Sequence, residues 1–339
     1  MQPTSSRPGR FVSFIIVARN AEKFLSTLLG NYLDQDYPAE LRELIFVDSM
    51  SEDRTRAIAE EFRQSHPELA MTILENPRVA VAAGWNIALQ AARGEIVVRV
   101  DAHVSIPSNY LRDGVQLLEE HSPEGVVCVG GPWTTRGEGF WGQAIAAVLS
   151  SPFGVGDSPF RHGEREGIVE TVPCGLYWRW VFDQVGLLRE DVGRAEDNEL
   201  HARIRARGGK FYLSPKLRNT YACRSTVGAF LQQAYGNGYW VMASWRDCSG
   251  RHLIPFFFVG LLGGLGLGSF FSPACATALS YLGSIYLALA LYAAYLAPSE
   301  LSAKVRLLVC PPLYLLLHLA YGLGSWAALI ARLRREWAG

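Results

Sequence analysis

Phe11-Val12-Ser13-Phe14-Ile15-Ile16-Val17-Ala18 is an apolar run of mostly β-branched and aromatic side chains, a pattern that predicts a buried β-strand. A polar loop and a helical pattern of apolar residues, ending at Leu33, follow it. The same unit then repeats, with predicted strands at residues 41–47, 71–74 and 95–100 and predicted helices at residues 53–62 and 80–92. This alternation predicts an α/β fold with a mostly parallel sheet and helices on both faces.

Several common ligand classes lack their sequence signatures. No Gly-x-Gly-x-x-Gly follows a predicted strand and no Walker-type Gly-Lys-Ser/Thr occurs, so the dinucleotide and P-loop interpretations lack their phosphate-binding loops. Lys and Arg total 32, as do Asp and Glu, and this balance argues against nucleic acid as a partner. The six cysteines are scattered without zinc-type pairs, which favours buried, reduced side chains.

Acidic residues follow two of the predicted strands, at the sheet edge where ligands collect in such folds. Asp101 and His103 end the run that begins at Ile96, and their spacing would let both hold one Mg²⁺ or Mn²⁺ ion against a diphosphate. Asp48 ends the apolar run at residues 41–47 and is suited to hydrogen-bonding a base or ribose. Helix capping, with an incidental histidine in the first case, is the alternative for both.

A third acidic site opens the helix that is predicted to run from Glu196 to Arg207 and to end at Gly208-Gly209. Acids are stabilised at a helix N-terminus by the helix dipole, so a structural role explains them. A positioned carboxylate such as Asp197 is equally what an attacking hydroxyl needs for deprotonation. The spacing alone leaves both interpretations open.

The C-terminal quarter has the composition of a membrane domain. Residues 252–299 and 307–331 contain no Lys, Arg, Asp or Glu, and such stretches are long enough to cross a bilayer. Three spans are predicted near residues 253–271, 275–296 and 307–330, the last interrupted by Pro311-Pro312. With a cytosolic catalytic domain, three crossings would put Lys304 and Arg306 inside, as the positive-inside rule expects, but the basic tail, residues 332–339, outside, against it. A re-entrant or interfacial third segment would remove the conflict.

Two further segments carry aromatic residues that suit the headgroup region. Residues 137–151 form a short apolar pattern with Phe140 and Trp141 near its start, and residues 232–245 are rich in Tyr and Trp. Either segment could lie at the membrane interface, and the first could equally be ordinary core. The N-terminal run at residues 11–18 is too short and lacks a cleavage site for a signal peptide, so the front domain is predicted to stay in the cytosol.

In their order along residues 12–245, these features resemble the family 2 glycosyltransferases with a GT-A fold. The resemblance rests on Ile16-Val17-Ala18-Arg19-Asn20, Val47-Asp48-Ser49-x-Ser51-x-Asp53, Gly84-Trp85-Asn86-Ile87-Ala88, Ala92-Arg93-Gly94-Glu95, Asp101-Ala102-His103 and Glu196-Asp197. It implies a GT-A (Rossmann-like) catalytic domain at residues 11–245, after a flexible N-terminus at residues 1–10. A membrane domain at residues 252–331 would follow.

The resemblance also implies roles for individual residues. The nucleotide-sugar site would contain Arg19, Asp48, Asp53, Asn86 and Asp101, with Asp48 on the uridine. Asp101 and His103 would hold the metal diphosphate, and Asp197 would be the catalytic base beside Glu196. A sugar or acceptor pocket is expected by analogy at Gly175, Tyr177 and Trp240.

The Asp-Ala-His variant, the segment at residues 151–156 and the C-terminal spans most resemble the bacterial exopolysaccharide glucosyltransferases of the succinoglycan type. That resemblance implies an inverting, metal-dependent transfer of glucose from UDP-glucose to a polyprenyl-diphosphate-linked oligosaccharide. The enzyme would be a multi-pass protein of the bacterial inner membrane with its catalytic domain in the cytosol.

Two departures from the family pattern matter. Residues 232–240 end in Trp240 without the Arg of the Gln-x-x-Arg-Trp motif of processive synthases, which favours addition of a single sugar. His103 replaces the usual second Asp and leaves the metal's identity open. A polyprenyl-phosphate glycosyltransferase is the first alternative function, and a non-catalytic membrane scaffold that binds nucleotide sugar is the second.

Overall fold

The computed structural model describes residues 9–162, 165–194, 196–244 and 250–338. The chain forms two compact units. The first, here called the sheet unit, comprises Met1–Trp133 and Gly163–Tyr221, and the second, the helical unit, comprises Thr134–His162 and Ala222–Gly339. The predicted end of the catalytic domain at Trp245 and the first eight residues of the predicted flexible N-terminus lie outside the described residues.

The strands are β1 Val12–Ala18, β2 Arg42–Asp48, β3 Met71–Glu75, β4 Ile96–Asp101, β5 Val104–Ser105, β6 Val126–Gly130, β7 Trp133–Arg136, β8 Gly167–Val169, β9 Leu176–Trp178, β10 Lys210–Leu213 and β11 Asn219–Ala222. The helices are α1 Glu22–Leu33, α2 Thr55–Ser65, α3 Val81–Ala91, α4 Tyr110–His121, α5 Gly139–Leu149, α6 Pro152–Val155, α7 Pro159–His162, α8 Trp180–Val185, α9 Glu196–Ala206, α10 Val227–Ala243, α11 Ile254–Gly268, α12 Pro273–Leu296 and α13 Ala303–Ala338.

The sheet unit is built on an eight-stranded sheet in the order β3-β2-β1-β4-β9-β6-β10-β8. Its first four strands are parallel, as predicted, and every residue of β2 is buried. Their apolar runs are continuous rather than alternating because both faces of the strands are covered. The carboxyl ends of β1, β2 and β4 therefore meet at one edge, where Ala18, Asp48 and Asp101 lie.

The other half of the sheet makes it mixed rather than mostly parallel. Strand β9 runs antiparallel to both β4 and β6, and β8 runs antiparallel to β10. Three residues suffice for β9 because each is buried between longer neighbours. A small second sheet has the order β5-β11-β7, in which β11 is antiparallel to β5.

Two helices of the helical unit, α12 and α13, are long and apolar enough to cross a membrane. The segment predicted as the first span forms only the 15 residues of α11, a length of about 22 Å against a hydrocarbon core of about 30 Å. Each of the three predicted segments thus contains a helix, and the first of them is shorter than the hydrocarbon core. The expected break at Pro311-Pro312 is absent, because α13 is one helix of 36 residues that contains both prolines.

Helices α5 and α10 belong to the helical unit and pack against α13. The crossing of α10 and α13 is close: a Cβ added to Gly238 would lie 1.9 Å from the Tyr321 carbonyl oxygen. Most of α5 is buried, which fits the core interpretation of residues 137–151. Phe140 and Trp141 in its first turn are nevertheless 48% and 46% exposed, so that turn keeps the aromatic surface that the interfacial interpretation requires.

Candidate functional site

The loops that follow β1 and β2 are joined by a ladder of hydrogen bonds. The main-chain N–H groups of Asn20 and Ala21 donate to Ser51 Oγ and Thr55 Oγ1, at 3.0 and 2.7 Å. In return the Glu52 N–H donates to Asn20 Oδ1 at 2.9 Å. These bonds fix the spacing of the two loops at the carboxyl edge of the sheet, as a rigid nucleotide site requires.

Asp48 ends β2 and is 2% exposed. Its two carboxylate oxygens each accept a 3.3 Å hydrogen bond from the Ser51 N–H, which is long for a good hydrogen bond. The neighbouring Met50 has a φ of 58°, a left-handed conformation that is uncommon outside glycine. Unusual backbone of this kind clusters at ligand-binding sites, and here it shapes the turn that encloses Asp48.

Asp53 and Arg19, both predicted to bind nucleotide sugar, have protein partners of their own. Asp53 accepts hydrogen bonds from the N–H groups of Thr55 and Glu22, so it caps α2 and braces the ladder. Burial raises the pKa of the Asp53 carboxyl, but the bonds from Thr55 and Glu22 outweigh it and leave the pKa below its ordinary value. The exposed Arg19 lies 3.8 Å from Glu52 and remains available at the surface of the loop.

Asp101 is the last residue of β4, and His103 follows in the turn before β5. The His103 ring meets the Tyr221 ring edge-on at 5.1 Å, and Tyr221 is stacked on Trp133 at 4.5 Å with nearly parallel planes. Asp101 and His103 thus lie beside an aromatic pair within the sheet unit. Tyr221 is 4% exposed and Trp133 is partly exposed, so the pair braces the turn that carries His103.

A divalent ion would find two of its predicted ligands here. Within the described residues no group of three or more His, Cys, Asp or Glu side chains could hold a metal ion. An ion on Asp101 and His103 would therefore take its remaining ligands from water and from the phosphates of the donor. Mg²⁺ sites commonly have this composition, with one or two protein ligands and several from substrate and water.

Glu196 and Asp197 begin α9. Glu196 is buried and pairs with Arg99 of β4, whose Nη2 lies 2.7 Å from Glu196 Oε1. Burial raises the pKa of the Glu196 carboxyl, and Arg99 opposes that rise. Asp197 is partly exposed and accepts a hydrogen bond from the Asn198 N–H at 2.8 Å. Of the two acids, Asp197 is the more exposed to solvent.

The remaining predicted residues lie in different surroundings. The Asn86 amide is buried and forms hydrogen bonds with the main chain of Leu188 and with Glu190. These bonds favour a supporting role over direct contact with the nucleotide sugar. Trp240 lies on α10 in the helical unit, so its predicted role in an acceptor pocket stays a prediction.

Gly175 and Tyr177 contribute to the core of the sheet unit. A Cβ on Gly175 would lie 2.5 Å from Cys128 Sγ, so glycine is required by packing. Tyr177 is 2% exposed, and a 2.7 Å hydrogen bond joins its hydroxyl to His201 Nε2. A sugar could not reach this hydroxyl without rearrangement of the core.

Arg99 was not among the predicted site residues, although it lies in the strand that ends at Asp101. The guanidinium lies 4.5 Å from the centroid of the Trp85 ring and is buried with Glu196. A charged residue inside an otherwise apolar strand is rare unless it is paired. That rarity was the signal by which Arg99 could have been found.

Comparison with known proteins agrees with this architecture. Residues 13–185 match the family described as Glycosyl transferase family 2. Among characterised relatives, the dolichyl N-acetyl-alpha-D-glucosaminyl phosphate 3-beta-D-2,3-diacetamido-2,3-dideoxy-beta-D-glucuronosyltransferase of Methanococcus voltae is 26% identical over 258 residues, 74% of this chain and 80% of that protein. The succinoglycan biosynthesis protein ExoA of Rhizobium meliloti is 26% identical over 226 residues, 66% of this chain and 67% of that protein.

A solved structure with a similar fold is the mannosyltransferase PcManGT from Pyrobaculum calidifontis in complex with GDP-Man and Mn²⁺. It superposes with a TM-score of 0.63 at 20% identity, covering 95% of this chain and 90% of that one. The predicted GT-A fold is confirmed by this similarity. The matched family covers residues 13–185, which contain the first acidic loop, the Asp101–His103 turn and most of the sheet. The chain belongs to glycosyl transferase family 2 and is a glycosyltransferase.

Proposed function

We propose that this enzyme transfers a single sugar, most simply glucose, from a UDP-sugar to a lipid-linked saccharide at the bacterial inner membrane. The observation that carries the proposal is the link between β4 and α9: the strand ending in Asp101 is bonded through Arg99 to Glu196, the neighbour of Asp197. A residue suited to binding a diphosphate and a residue suited to proton removal are thereby held in one unit.

The reaction follows from these residues. Asp48 and the braced loops bind the nucleoside, and Asp101 with His103 holds the diphosphate end of the donor. A divalent ion bound there would take up negative charge on the departing UDP. Asp197 accepts the proton of the acceptor hydroxyl as its oxygen bonds to the anomeric carbon. The bond from that carbon to the UDP oxygen breaks with its electron pair, so one displacement inverts the anomeric centre.

Two comparisons support parts of this proposal. The Methanococcus voltae relative is named for an acceptor that is a dolichyl-linked sugar phosphate, and ExoA is named for succinoglycan biosynthesis. The first name favours a lipid-linked sugar as acceptor over a soluble one, and the second favours a role in exopolysaccharide assembly. The Mn²⁺ in the PcManGT structure favours a divalent ion in this fold, and its GDP-Man makes GDP-sugars a necessary comparison in any donor assay.

We also propose that the membrane domain crosses the bilayer twice, through α12 and α13. Two crossings return the chain to the side on which it entered, so Arg332 and Arg334 would lie in the cytosol with the catalytic domain, as the positive-inside rule favours. Arg306 would lie on the opposite side, where its guanidinium donates to the carbonyl oxygens of Ala294, Tyr295 and Leu301. Its charge thus stabilises the C-terminal end of α12.

The test is a transfer assay with membranes containing the full chain. UDP- and GDP-sugars are each offered with polyprenyl phosphate and with polyprenyl-diphosphate saccharides, with and without EDTA, and lipid products are identified by mass spectrometry. The proposal expects one added hexose on the saccharide acceptor from a UDP-sugar. A mono-sugar phosphate product would instead support the polyprenyl-phosphate transferase, and UDP-sugar binding without any turnover would support the scaffold.

A further inference from the structure

Arg99 places a full positive charge in the interior of the sheet unit. It lies in β4 between Val98 and Val100, and its side chain is 14% exposed while that of Glu196 is 12% exposed. A buried guanidinium is tolerated only when it is paired and well packed. Here the Glu196 carboxylate supplies the opposite charge, and the guanidinium packs over the Trp85 ring.

We propose that Arg99 is a positioning residue for sugar transfer: by holding Glu196 it fixes the first turn of α9, and therefore Asp197, relative to the strand that ends in Asp101. The proposal rests on the proposed function, because Asp101 and Asp197 receive their roles there. It adds to that function a residue that contacts neither donor nor acceptor.

The geometry of β4 supports this role. Side chains alternate along a strand, so Arg99 and Asp101 leave the same face of the sheet. The Arg99 N–H donates to the Gly175 carbonyl oxygen at 3.0 Å, which holds this part of β4 to the chain entering β9. With its main chain held in the sheet, Arg99 is a fixed point from which the guanidinium can orient α9.

The guanidinium also keeps a donor that the ion pair does not use. Its Nη1 atom is buried and has no hydrogen-bond partner within the part of the chain that the structure describes. A guanidinium that served only to fill the core would be expected to have its donors satisfied. The spare donor and the single bond to Glu196 suit a group that orients an acidic site.

Electrostatics point in the same direction. The negative charges of Glu196, Asp101 and Asp197 all attract the Arg99 guanidinium. The acids assigned to metal binding and to proton removal therefore both interact with this one charge. Replacing Arg99 with a neutral residue would remove this positive charge from the surroundings of all three carboxylates.

Other side chains hold the body of α9. Arg203 forms a pair with Glu199 at 2.7 Å and donates to the carbonyl oxygen of Leu187, and His201 bonds to Thr171 and Tyr177. Apart from Glu199, the residues of α9 that make these contacts lie beyond its first turn. Arg203 thus offers a matched control, since it is also a paired arginine that anchors α9 but does not bond to Glu196.

The experiment compares Arg99→Met, Arg99→Lys, Glu196→Gln, the double variant Arg99→Met/Glu196→Gln and Arg203→Met in the full chain. Each is assayed for kcat, for KM of the donor, for UDP affinity and for thermal unfolding in detergent. We expect Arg99→Met to lower kcat about 10²-fold with donor KM changed less than about threefold, as small misplacements of catalytic groups do. Arg99→Lys should recover part of that loss, and Arg203→Met should lower the unfolding temperature while kcat stays within about threefold.

The double variant separates positioning from stability. It removes both charges, so its unfolding temperature should return toward that of the wild type, while its kcat should stay as low as that of Arg99→Met. Recovery of kcat in the double variant, or a kcat loss in Arg203→Met equal to that in Arg99→Met, would overturn the proposal. Failure of the proposed function would look different, because the wild type itself would then add no sugar to the saccharide acceptor.

Discussion

The hydroxyl of Tyr177 and the Nε2 atom of His201 are joined by a 2.7 Å hydrogen bond inside the sheet unit. The other ring nitrogen of His201 bonds to Thr171 Oγ1, also at 2.7 Å. Both nitrogens are thus used, one as donor and one as acceptor, which a neutral imidazole provides. Burial, opposed by Asp197 and assisted by the nearby Arg99 and Arg205, lowers the pKa of His201 to about 3.

This pKa predicts acid sensitivity of the fold. An unfolded chain protonates His201 near pH 6.5, whereas the folded chain does so only near pH 3. Between these values the unfolded state binds more protons, so stability falls as pH is lowered, by up to about 1.4 kcal/mol per pH unit from this group. His201→Gln should flatten thermal unfolding temperature against pH between pH 6 and 4. The control is His66→Gln, at the partly exposed residue after α2, which should leave that pH dependence unchanged. Equal slopes of unfolding temperature against pH for the wild type and His201→Gln would contradict the prediction.

A second stability prediction concerns Glu43 in β2. Its buried carboxylate accepts hydrogen bonds from Ser13 Oγ at 2.6 Å and from the Arg93 main chain at 2.8 Å. Glu43→Ala would leave both donors unsatisfied and should destabilise the protein by about 2–4 kcal/mol. The partly exposed Glu60, which pairs with the exposed Arg63, is the control, and Glu60→Gln should change stability by less than about 0.5 kcal/mol. Chemical unfolding in detergent measures both, and similar midpoints would refute the assignment.

The strands of the parallel half could be predicted because each is a continuous apolar run that ends abruptly at a polar residue. The same feature identified Asp48 and Asp101, which lie at the sheet edge where ligands were expected. The antiparallel half could not be predicted this way. Strand β9 has three residues, and its position depends on pairing with β4 and β6, which are distant in sequence.

The sequence predicted which residue types suit the site, but not the tertiary contacts that each of them makes. Asn86 and Tyr177 have residue types suited to sugar binding, yet tertiary contacts bury both. Those contacts come from Leu188 and His201, about which local sequence carries no information. Arg99 was passed over for the opposite reason: its partner, Glu196, lies 97 residues away.

The metal prediction can be tested by titration. If Asp101 and His103 are the protein's two ligands, EDTA should abolish transfer and Mn²⁺ or Mg²⁺ should restore it. His103→Ala should raise the ion concentration for half-maximal activity about tenfold or more, since loss of groups supporting a metal commonly costs 10- to 100-fold in affinity. His121→Ala, on α4 and stacked against Tyr212, is the control. An unchanged titration curve for His103→Ala would remove His103 from the site.

If Asp197 is the catalytic base, its replacement should lower kcat without weakening the binding of UDP. General-base catalysis is worth about 10²- to 10⁴-fold, so Asp197→Asn should lower kcat by that range while UDP affinity stays close to that of the wild type. The control is Asp183→Asn, an exposed acid on α8, which should leave kcat unchanged. Near-normal turnover by Asp197→Asn would show that another group removes the proton.

The two-crossing proposal predicts where the ends of α12 and α13 lie. A reporter that is active only in the cytosol should be active when fused after the C-terminus, and one that is active only outside should be active when inserted at Ser299 between the two helices.

The opposite pattern at the C-terminus would mean an odd number of crossings, with α11 spanning despite its length of about 22 Å. Such a result would require local thinning of the bilayer around a 15-residue helix. It would also place Arg332 and Arg334 outside, where the positive-inside rule disfavours them. Replacing both arginines with glutamine would then tell whether charge sets the orientation, because a charge-determined topology should shift toward a mixed population in the same reporter assay.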